Sequence, residues 1–489
     1  MRYSADGSLD DTFSFDGKTT TDLGSNEQIN AIAIQPNDKI VVAGNTFGAD
    51  EDFAVARYLA DGTLDTSFSD DGYLTTDFGA GDDSAQGVAL DDGGNIVVAG
   101  WAHTSGGVDF ALARYTPSGA PDLSFDNDGL VTTPIGVAND QANDVAIDSK
   151  GRIVAVGASV QGAHNKDFAI VRYKQDGSLD GTFSSDGIVI PNGTDKARAV
   201  AIDAADNIVA AGSYYNVQSQ DLDFGLVRYT SDGLPDGSFG TEGNGRVNTP
   251  VAKGAEALDV AIDPQGRIVA GGYASNGTDR DFALVLYDGS GNPETTFGNA
   301  GRVLTPIGTN DSGRGVAVDS LGRFVMGGYA YTGVNSDFAA VRFLTAGYRP
   351  DAMIRRGATG LYLGDDVYNA TGNGQVALAK AREGRTATLG LRLQNDGTGA
   401  DALRLSGCGS KPGFSVRYLV GGVDATSAVV GGTCSTGTLP VGGSSTLSMT
   451  VKIGRRAVGK TYTCKLTTSS QTTPVEQDAV VAKVKGVAA

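Results

Sequence analysis

The sequence is poor in cysteine and histidine and has no long hydrophobic run. Its three cysteines, Cys408, Cys434 and Cys464, all lie near the C-terminal end of the 489 residues. The two histidines, His103 and His164, are too few for the three or four ligands of a zinc site, and residues 1–345 contain no cysteine to complete one. No apolar run reaches the ~18 residues of a membrane-spanning helix, so no membrane insertion is expected.

Basic residues are scarce in the front of the chain. Residues 1–345 contain 21 Lys and Arg against 48 Asp and Glu, whereas residues 346–489 contain 17 against 9. Nucleic acids and anionic membranes repel such an acidic surface, so neither is an expected partner. The absence of cysteine from this part is consistent with a protein outside the cytoplasm. The sequence also lacks the nucleophile elbow, P-loop and zinc-protease motifs, and we predict no catalytic residue.

Glycine is abundant, with 71 residues, and glycines recur at regular positions of a sequence repeat. The most regular mark of the repeat is an apolar segment that ends in Arg and an aromatic residue. Successive marks lie 55 to 58 residues apart, so that seven marks enclose six periods. They are Arg2-Tyr3, Arg57-Tyr58, Arg114-Tyr115, Arg172-Tyr173, Arg228-Tyr229, Leu286-Tyr287 and Arg342-Phe343.

Each period predicts four short strands, which we name a to d. In the third copy, strand a is the alternating segment 144–148, strand b the β-branched run 152–157 and strand c the segment 167–173. A long turn rich in Asp and Gly follows, and a short strand d closes the unit. Such a repeat, with no helical period, is typical of a β-propeller blade or of a β-solenoid turn.

Two features favour the propeller over the solenoid. Proline recurs at the end of strand d, as in Pro134 and Pro250, where a missing N–H suits an outer edge strand. The chain also begins with a lone strand d near residues 17–22 and ends its repeats with strands a, b and c, so the first strand can complete the last sheet. We therefore predict an all-β fold in which residues 1–345 form a six-bladed β-propeller closed by an N-terminal outer strand.

These repeats resemble delta-60 repeats, a bacterial β-propeller type similar to NHL propellers. Three segments recur in register: Asp-Phe-Ala…Arg-Tyr, the turn Asp-Gly-x-x-Asp-x-x-Phe-x-x-Asp-Gly, and the hairpin Val-Ala-Ile-Asp…Gly-Arg-Ile-Val-Ala-x-Gly. The fifth copy departs from the pattern, with Leu286 in place of Arg. The resemblance implies a secreted or surface protein of bacteria and no defined activity. Residues 1–6 do not form a signal peptide and Arg2-Tyr3 falls in mid-repeat, so we expect an incomplete N-terminus.

Residues 346–489 form a second predicted domain, after a linker at residues 344–351. Short alternating segments predict an immunoglobulin-like β-sandwich, near residues 387–393, 414–418, 445–452, 461–468 and 479–484. The stretches 392–397 and 439–443 resemble bacterial adaptor sandwiches of the CARDB/NEW3 kind, which implies a domain that connects or presents other modules.

Three disulfide pairings are open to three cysteines. In the predicted sandwich, Cys408 ends one strand and Cys464 lies near the start of its antiparallel neighbour. We therefore predict a disulfide between Cys408 and Cys464, with Cys434 left over.

The Asp-rich turns permit two interpretations. Residues 176–181 place oxygen ligands at the first, third and fifth positions of an EF-hand-like loop, but Gly187 stands where the twelfth-position Glu belongs. Asp and Gly are also the ordinary residues of tight turns. We favour structural turns, and calcium remains the one cofactor that the sequence suggests.

The position after the strand-b glycine varies in otherwise regular repeats. Variation at the mouth of a propeller is where ligand contacts belong, and aromatic rings among polar groups can stack on a sugar or hold a peptide. The alternative is that these rings pack beneath long loops. The predicted ligand-binding residues are Asn45, Trp101, Tyr273 and Tyr329 at this position, together with Tyr214, which lies beside Ser213 at the same position of the fourth copy.

The sequence therefore predicts a non-enzymatic binding or scaffold protein, extracellular or on the cell surface. Its propeller would bind a glycan or a peptide, and its sandwich would act as an adaptor. The alternative is a calcium-dependent propeller hydrolase or lactonase with acidic ligands in an axial channel. The residues expected nearest the axis are mixed rather than acidic: Asn30, Gln86, Asn143, Arg198, Leu258 and Arg314.

Overall fold

The computed structural model divides the chain into two units, Met1–Phe343 and Leu344–Ala489. Most of the predicted linker, at residues 344–349, lies outside the described residues, as does His164. The residues that the structure describes are 1–4, 7–79, 81–137, 139–160, 166–191, 196–319, 322–343, 350–357, 375–395, 400–440, 443–471 and 477–488.

The first unit consists of successive antiparallel sheets, which we number 1 to 6 along the chain. Sheets 1 to 5 each have four strands in the order a-b-c-d, and sheet 6 has strands a, b and c. The strands of sheets 1 to 3 are Asn26–Ile34, Ile40–Phe47, Glu51–Tyr58 and Tyr73–Thr76; Asp83–Leu90, Ile96–Thr104, Gly107–Tyr115 and Leu130–Thr133; and Gln141–Ile147, Ile153–Val160, Lys166–Tyr173 and Ile188–Val189. Those of sheets 4 to 6 are Lys196–Ile202, Ile208–Asn216, Asp221–Tyr229 and Arg246–Thr249; Lys253–Ile262, Ile268–Ser275, Arg280–Tyr287 and Arg302–Thr305; and Thr309–Val318, Phe324–Tyr331 and Ser336–Phe343.

The central strands b and c are apolar on both faces because each face packs against a neighbouring sheet. In sheet 2, Val98 and Ala113 pack in one core with residues of sheet 1. Val97 and Leu112 alternate with them and pack in a separate core with residues of sheet 3. This two-sided burial explains why strands b and c are continuous β-branched and apolar runs in the sequence.

A β-bulge recurs in strand a of every sheet. In sheet 4 the register shifts between Ala197 and Ala199, so that Arg198 is the extra residue. Opposite the bulge stands Gly212, where a Cβ atom would overlap the carbonyl group of Lys196. The recurrent glycine of strand b is therefore required by the bulge beside it.

The two ends of the first unit do not form the predicted shared sheet. Residues 17–22 contain no strand, and Thr21 Oγ1 is hydrogen-bonded to Tyr58 Oη of sheet 1 at 2.7 Å. Among the described residues, nothing pairs with the outer edge of Ser336–Phe343. The outer faces of both end sheets are open, with Ile32 63% and Phe338 79% exposed. The closure stays a prediction, because neither face is covered by the other.

The second unit contains two five-stranded sheets that enclose one apolar core. The five segments predicted from the sequence all lie within strands, and the described residues contain five further strands outside those segments. The first sheet contains, in spatial order, Pro350–Arg356, Thr386–Asn395, Ser444–Ile453, Phe414–Val420 and Val423–Asp424. The second contains Val376–Arg382, Gln477–Val487, Thr461–Ser470, Asp401–Ser406 and Cys434–Leu439. An α-helix, Thr426–Val430, and a 3₁₀ turn, Arg455–Ala457, complete the unit.

The predicted disulfide is confirmed. Cys408 and Cys464 are bonded with their Cα atoms 5.6 Å apart, and Cys434 is a free thiol. Cys464 lies in the strand Thr461–Ser470, which pairs antiparallel with Asp401–Ser406, the strand that Cys408 follows. No helix in the described part of the chain has the length and apolar character needed to cross a membrane.

Candidate functional site

The a-strands of successive sheets lie next to one another, and their bulges join the sheets through side chains. Asn30 Nδ2 donates to Ala85 O of sheet 2 at 2.8 Å, and Asn143 Nδ2 donates to Ala197 O of sheet 4 at 2.6 Å. Bulge residues of asparagine type therefore serve as repeated links between sheets. We call this side of the sheets the inner edge.

Sheet 5 departs from this repeated pattern. Glu256 is buried on its strand a, and Arg198 of the preceding sheet donates to Glu256 Oε1 at 2.7 Å. Tyr273, on strand b, donates its hydroxyl to Glu256 Oε2 at 2.6 Å. The guanidinium of Arg280 stands 4.3 Å from the centre of the Tyr273 ring. We call these four residues the Arg–Glu–Tyr cluster.

The electrostatics of the cluster follow from this geometry. Burial alone would raise the pKa of Glu256, but the charge of Arg198 and the hydrogen bond from Tyr273 outweigh it and lower that pKa. Burial, together with the bond to Glu256 and its charge, raises the pKa of Tyr273 to about 12. At neutral pH the cluster therefore has an ionised carboxylate, a neutral phenol and two guanidinium groups.

Sheet 6 has a simpler arrangement at the equivalent position. The guanidinium of Arg314, the bulge residue, stands 5.4 Å from the centre of the Tyr329 ring. Arg314 is exposed and Tyr329 is half-buried. Two neighbouring sheets thus each present a tyrosine ring with an arginine beside its face, an arrangement that cation–π attraction stabilises.

The structure places the other predicted ligand residues differently from one another. Asn45 is buried, and its Oδ1 accepts bonds from Asn30 Nδ2 at 2.9 Å and from Ser84 Oγ at 3.0 Å. Trp101 is half-buried, and its ring meets His103 edge-on with 6.2 Å between the centroids. Asn45 thus bonds within the protein, whereas Trp101 retains an accessible surface.

Tyr214 lies apart from these residues. It follows Ser213, which occupies the position of Trp101 and Tyr273, so its side chain projects from the opposite face of strand b. There it lines a groove of about 460 Å³ beside the outer strand of sheet 4, together with Asn216, Glu242 and Arg302. The structure therefore brings Tyr273 and Tyr329 to the same edge of adjacent sheets but separates Tyr214 from them.

Two carboxylates of unusual pKa lie next to the bulges. Asp144 Oδ2 accepts a bond from Val200 N of the next sheet at 2.8 Å, and Asp259 Oδ2 likewise accepts one from Val316 N at 2.6 Å. Burial, and to a lesser degree the charge of Asp259, raises the pKa of Asp144 to about 7. Burial raises the pKa of Asp259 to about 6.

The recurrent turn residues are committed to structure. Asp176 Oδ1 accepts bonds from the backbone N–H of Ser178 at 3.0 Å and from its hydroxyl at 2.6 Å. Arg172 donates from Nε to Asp180 Oδ2 at 2.9 Å and from Nη1 to Ser231 O of the next repeat. Its guanidinium also lies 4.5 Å from the centre of the Phe183 ring. The recurrent arginine therefore fastens a turn to its own strand and to the following sheet.

Sequence reasoning missed two members of the Arg–Glu–Tyr cluster, Glu256 and Arg280. A signal for Glu256 was available, because an acid stands there where the other copies carry Gln28, Ser84, Gln141, Lys196 and Ser312. Its partner Arg198, 58 residues earlier, becomes a neighbour only through the packing of sheet 5 on sheet 4.

Five segments of the first unit match the family described as "Domain of unknown function (DUF5122) beta-propeller", at residues 35–68, 94–125, 151–183, 205–239 and 264–297. Each segment runs from the a–b turn of one sheet to the recurrent phenylalanine of the long turn. The repeats are β-propeller repeats. The matched segments, one in each of sheets 1 to 5, cover about a third of the chain.

No curated protein matches the chain. Among solved structures, an endo-arabinase from Bacteroides thetaiotaomicron is 10% identical over 53% of this chain and 93% of its own, with a TM-score of 0.28. A PL25 polysaccharide lyase, an ulvan lyase, is 10% identical over 67% and 80%, with a TM-score of 0.30. The ASH/PapD-like domain of human CEP192 is 14% identical over 32% and 97%, with a TM-score of 0.19. Similarity at this level carries no argument about the function of this chain.

Proposed function

We propose that the protein is a non-enzymatic binding protein, extracellular or on the cell surface, whose propeller repeats hold a glycan or a peptide at the inner edge. The observation that supports this proposal is the Arg–Glu–Tyr cluster. It breaks the repeat pattern where the residue after the strand-b glycine varies, and it places Arg280 against the face of Tyr273. Aromatic faces with charged groups beside them suit sugars and peptide side chains alike.

The binding role assigned to each predicted residue follows its surroundings. Trp101, Tyr273 and Tyr329 are half-buried and keep part of their rings accessible, so they are the proposed contacts. Asn45 is buried among Asn30 and Ser84 and would support the site rather than touch the ligand. Tyr214 would belong to the separate groove beside sheet 4.

The proposal includes a ring of six blades in which sheet 6 closes on sheet 1. Arg2 and Thr21 contact sheet 1 in the way that the turn and outer strand of one sheet contact the next sheet, since Thr21 is bonded to Tyr58 as Thr76 is to Tyr115. Arg2 bonds to Ala60 O as Arg57 bonds to Pro117 O, one repeat later. Sheet 6 lacks an outer strand, and both end faces are apolar. Arg2-Tyr3 and Arg342-Phe343 are both copies of the end of strand c, so only one pair can occupy that place in a closed ring. Closure therefore requires the other pair to leave its position.

The second unit is proposed as the adaptor, an immunoglobulin-like sandwich of the kind that presents other modules. Its two five-stranded sheets and its disulfide support this role. A disulfide persists in oxidising compartments, which supports a position outside the cytoplasm.

A calcium-dependent hydrolase or lactonase is the second candidate. Asp144 and Asp259 favour it, because perturbed carboxylates are typical of catalytic sites. Both groups, however, already accept backbone hydrogen bonds. Hydrolysis of lactone and ester substrates, measured with the protein and with an Asp144→Asn variant in calcium, would establish this candidate if the variant lost the activity.

The test of binding is a glycan and peptide array probed with the full chain. Hits that weaken at least about tenfold in Trp101→Ala or Tyr273→Ala are expected, because stacked rings supply much of the affinity at such sites. The matched control is Phe15→Ala, which removes an aromatic ring that is 93% exposed and distant in sequence from the cluster. Hits that all three variants leave unchanged, or the absence of any hit, would reject the proposed site.

A further inference from the structure

Two aspartates meet at the corner where the chain leaves strand d of one sheet and enters strand a of the next. The first is the recurrent aspartate of strand c, and the second begins the following strand a. At the corner between sheets 1 and 2 they are Asp52 and Asp83, joined by Asp77. Carboxylate oxygens of these three residues all lie within 4.8 Å of one another. At the corner between sheets 5 and 6 the equivalent residues are Asp281 and Asp311.

Buried oxygens without partners are present at the corner between sheets 5 and 6. Asp281 is 3% and Asp311 0% exposed, and Oδ1 of each has no hydrogen-bond partner. Asp311 Oδ2 accepts bonds from Ile307 N and Gly308 N, and Asp281 Oδ2 accepts one from Asn276 Nδ2 at 2.9 Å. Burial of an acceptor oxygen away from water without a hydrogen-bond donor costs folding free energy, and two such oxygens on neighbouring carboxylates cost more.

The other corners show how an aspartate pair is satisfied without an added ion. In sheet 3, Asp140 Oδ1 accepts a hydrogen bond from Val160 N. In sheet 6, the equivalent backbone N–H makes no hydrogen bond to Asp311 Oδ1. In sheet 2, Asp109 Oδ2 accepts a bond from Thr104 Oγ1 at 2.6 Å. In sheet 5 the second acid is absent, because Ala255 replaces it, and Asn248 Nδ2 reaches Asp223 Oδ2 at 3.3 Å.

The charges at the two acidic corners are not balanced by basic side chains. The bonds shown for Asp83 and Asp311 come from backbone N–H groups, and none of the ion pairs found among the described residues includes an aspartate of either corner. Burial raises the pKa of Asp281, and the charges of Asp279 and Asp311 add to the effect. Burial also raises the pKa of Asp52, with further contributions from Asp77, Asp50 and Asp83.

We propose that a divalent cation, with calcium preferred, binds at the corner between sheets 5 and 6 and joins these two sheets. Asp281 and Asp311 supply its carboxylate ligands. The corner between sheets 1 and 2 is not included, because both carboxylate oxygens of Asp83 already accept backbone hydrogen bonds. Carboxylate oxygens suit calcium, which accepts irregular coordination, whereas magnesium requires a stricter octahedron. The cation stabilises the sheet array independently of any ligand at the inner edge.

Calorimetric titration of the full chain tests the proposal, with calcium chloride added after dialysis against a chelator. We expect one bound calcium ion per chain, weaker binding of magnesium, and a higher melting temperature in calcium. Asp281→Asn should weaken calcium binding at least about tenfold, since calcium affinity follows the number of charged ligands. Asp223→Asn, at the corner that has Ala255, should leave calcium binding unchanged.

Asp311→Asn provides a second variant at the same corner, and its circular dichroism spectrum checks that it folds. It should also weaken calcium binding, whereas Asp77→Asn, an exposed position at the corner between sheets 1 and 2, should leave calcium binding unchanged. Asp176→Asn, in the recurrent turn, should leave calcium binding unchanged. No heat and no melting shift at millimolar calcium would overturn the proposal, and so would equal losses in Asp223→Asn and Asp281→Asn or a loss confined to Asp176→Asn.

Discussion

The hydroxyl of Tyr273 donates to Glu256 Oε2 at 2.6 Å, and this bond ties the aromatic ring to the only acid at its position in the six repeats. Arg198 holds the other oxygen of Glu256 at 2.7 Å. The carboxylate of Glu256 therefore holds the ring of Tyr273 in place, and Arg198 of the neighbouring sheet neutralises that carboxylate. The position of a proposed ligand contact thus depends on the packing of sheet 5 against sheet 4.

Replacement of Glu256 by Ala is expected to destabilise the protein by roughly 1–3 kcal/mol, because it leaves the phenol of Tyr273 and the Arg198 guanidinium without their buried partner. Urea unfolding followed by circular dichroism measures the change. Gln28→Ala is the matched control, since Gln28 occupies the same position in sheet 1 and is exposed. Equal losses in the two variants would contradict the role assigned to Glu256.

The Arg172→Leu substitution should cost roughly 3–5 kcal/mol, because it removes one partner of a buried ion pair and leaves Asp180 only the more distant Arg152, at 3.9 Å. In sheet 5 the natural residue at this position is Leu286, and Glu294 stands at the position of Asp180. The double variant Arg172→Leu with Asp180→Asn should therefore recover part of the loss. Chemical unfolding of the three proteins gives the comparison, and a double variant less stable than the single one would refute the explanation.

Alanine at Gly44 should destabilise sheet 1 by roughly 2 kcal/mol or more, because the added Cβ overlaps the carbonyl of Gln28 at the bulge. Gly48, four residues later, has only Asp50 O near an added Cβ, at 3.7 Å. Gly48→Ala should be nearly neutral. Thermal unfolding of both variants checks this, and a tolerated alanine at Gly44 would remove the link between the recurrent glycine and the bulge.

Stability should fall as the pH rises from about 5 to about 8. The folded pKa values of Asp144 (about 7) and Asp259 (about 6) lie above the ordinary value of 3.8, so the folded state binds more protons than the unfolded state in this window. Each carboxylate contributes at most about 1.4 kcal/mol per pH unit. Urea unfolding at several pH values measures the slope.

The double variant Asp144→Asn with Asp259→Asn should flatten that slope. Asp180→Asn is the control and should leave it unchanged. Burial opposes ionisation of Asp180, but bonds from Thr182 and the charge of Arg172 outweigh it and lower the pKa of Asp180, which then titrates below the window. A slope that persists in the double variant would assign the effect to other groups.

Thiol counting should find one reactive thiol in the denatured, unreduced protein and three after reduction. The first value corresponds to Cys434, because Cys408 and Cys464 are bonded to each other. Reduction should also lower the melting temperature, since loss of a native disulfide costs about 2–5 kcal/mol. Three reactive thiols before reduction would show that the bond is absent from the protein.

The strands of the repeats could be predicted closely from the sequence because their signals are local. The Arg and aromatic mark, the strand-b glycine and the alternation of strand a recur at a fixed spacing, and the observed strands follow them. In the second unit, Val376–Arg382 alternates buried Ala with exposed residues, and it was missed because alanine gives a weak strand signal. The closure of the ring was predicted from the order of strands at the two ends of the repeats, and it stays a prediction.

The candidate site could be predicted only in part. Variation after the strand-b glycine pointed to Tyr273 and Tyr329, but the same pattern pointed to Asn45, which the structure buries in a hydrogen-bond network. Tyr214 was grouped with them by adjacency in the sequence, although neighbours along a strand face opposite sides. The choice between exposed and buried positions depended on the sheet that packs beside each residue.

The repeat, the β-strand content, the acidic front and the cysteines available for one disulfide follow from the order of amino acids, because each depends on composition or on neighbours in the chain. The contact of Arg198 with Glu256 and the approach of Asp281 to Asp311 arise only in the folded protein, since these partners are 58 and 30 residues apart. Such pairs form when one sheet packs on the next, and the register of that packing is set by bulges and cores that no single repeat contains.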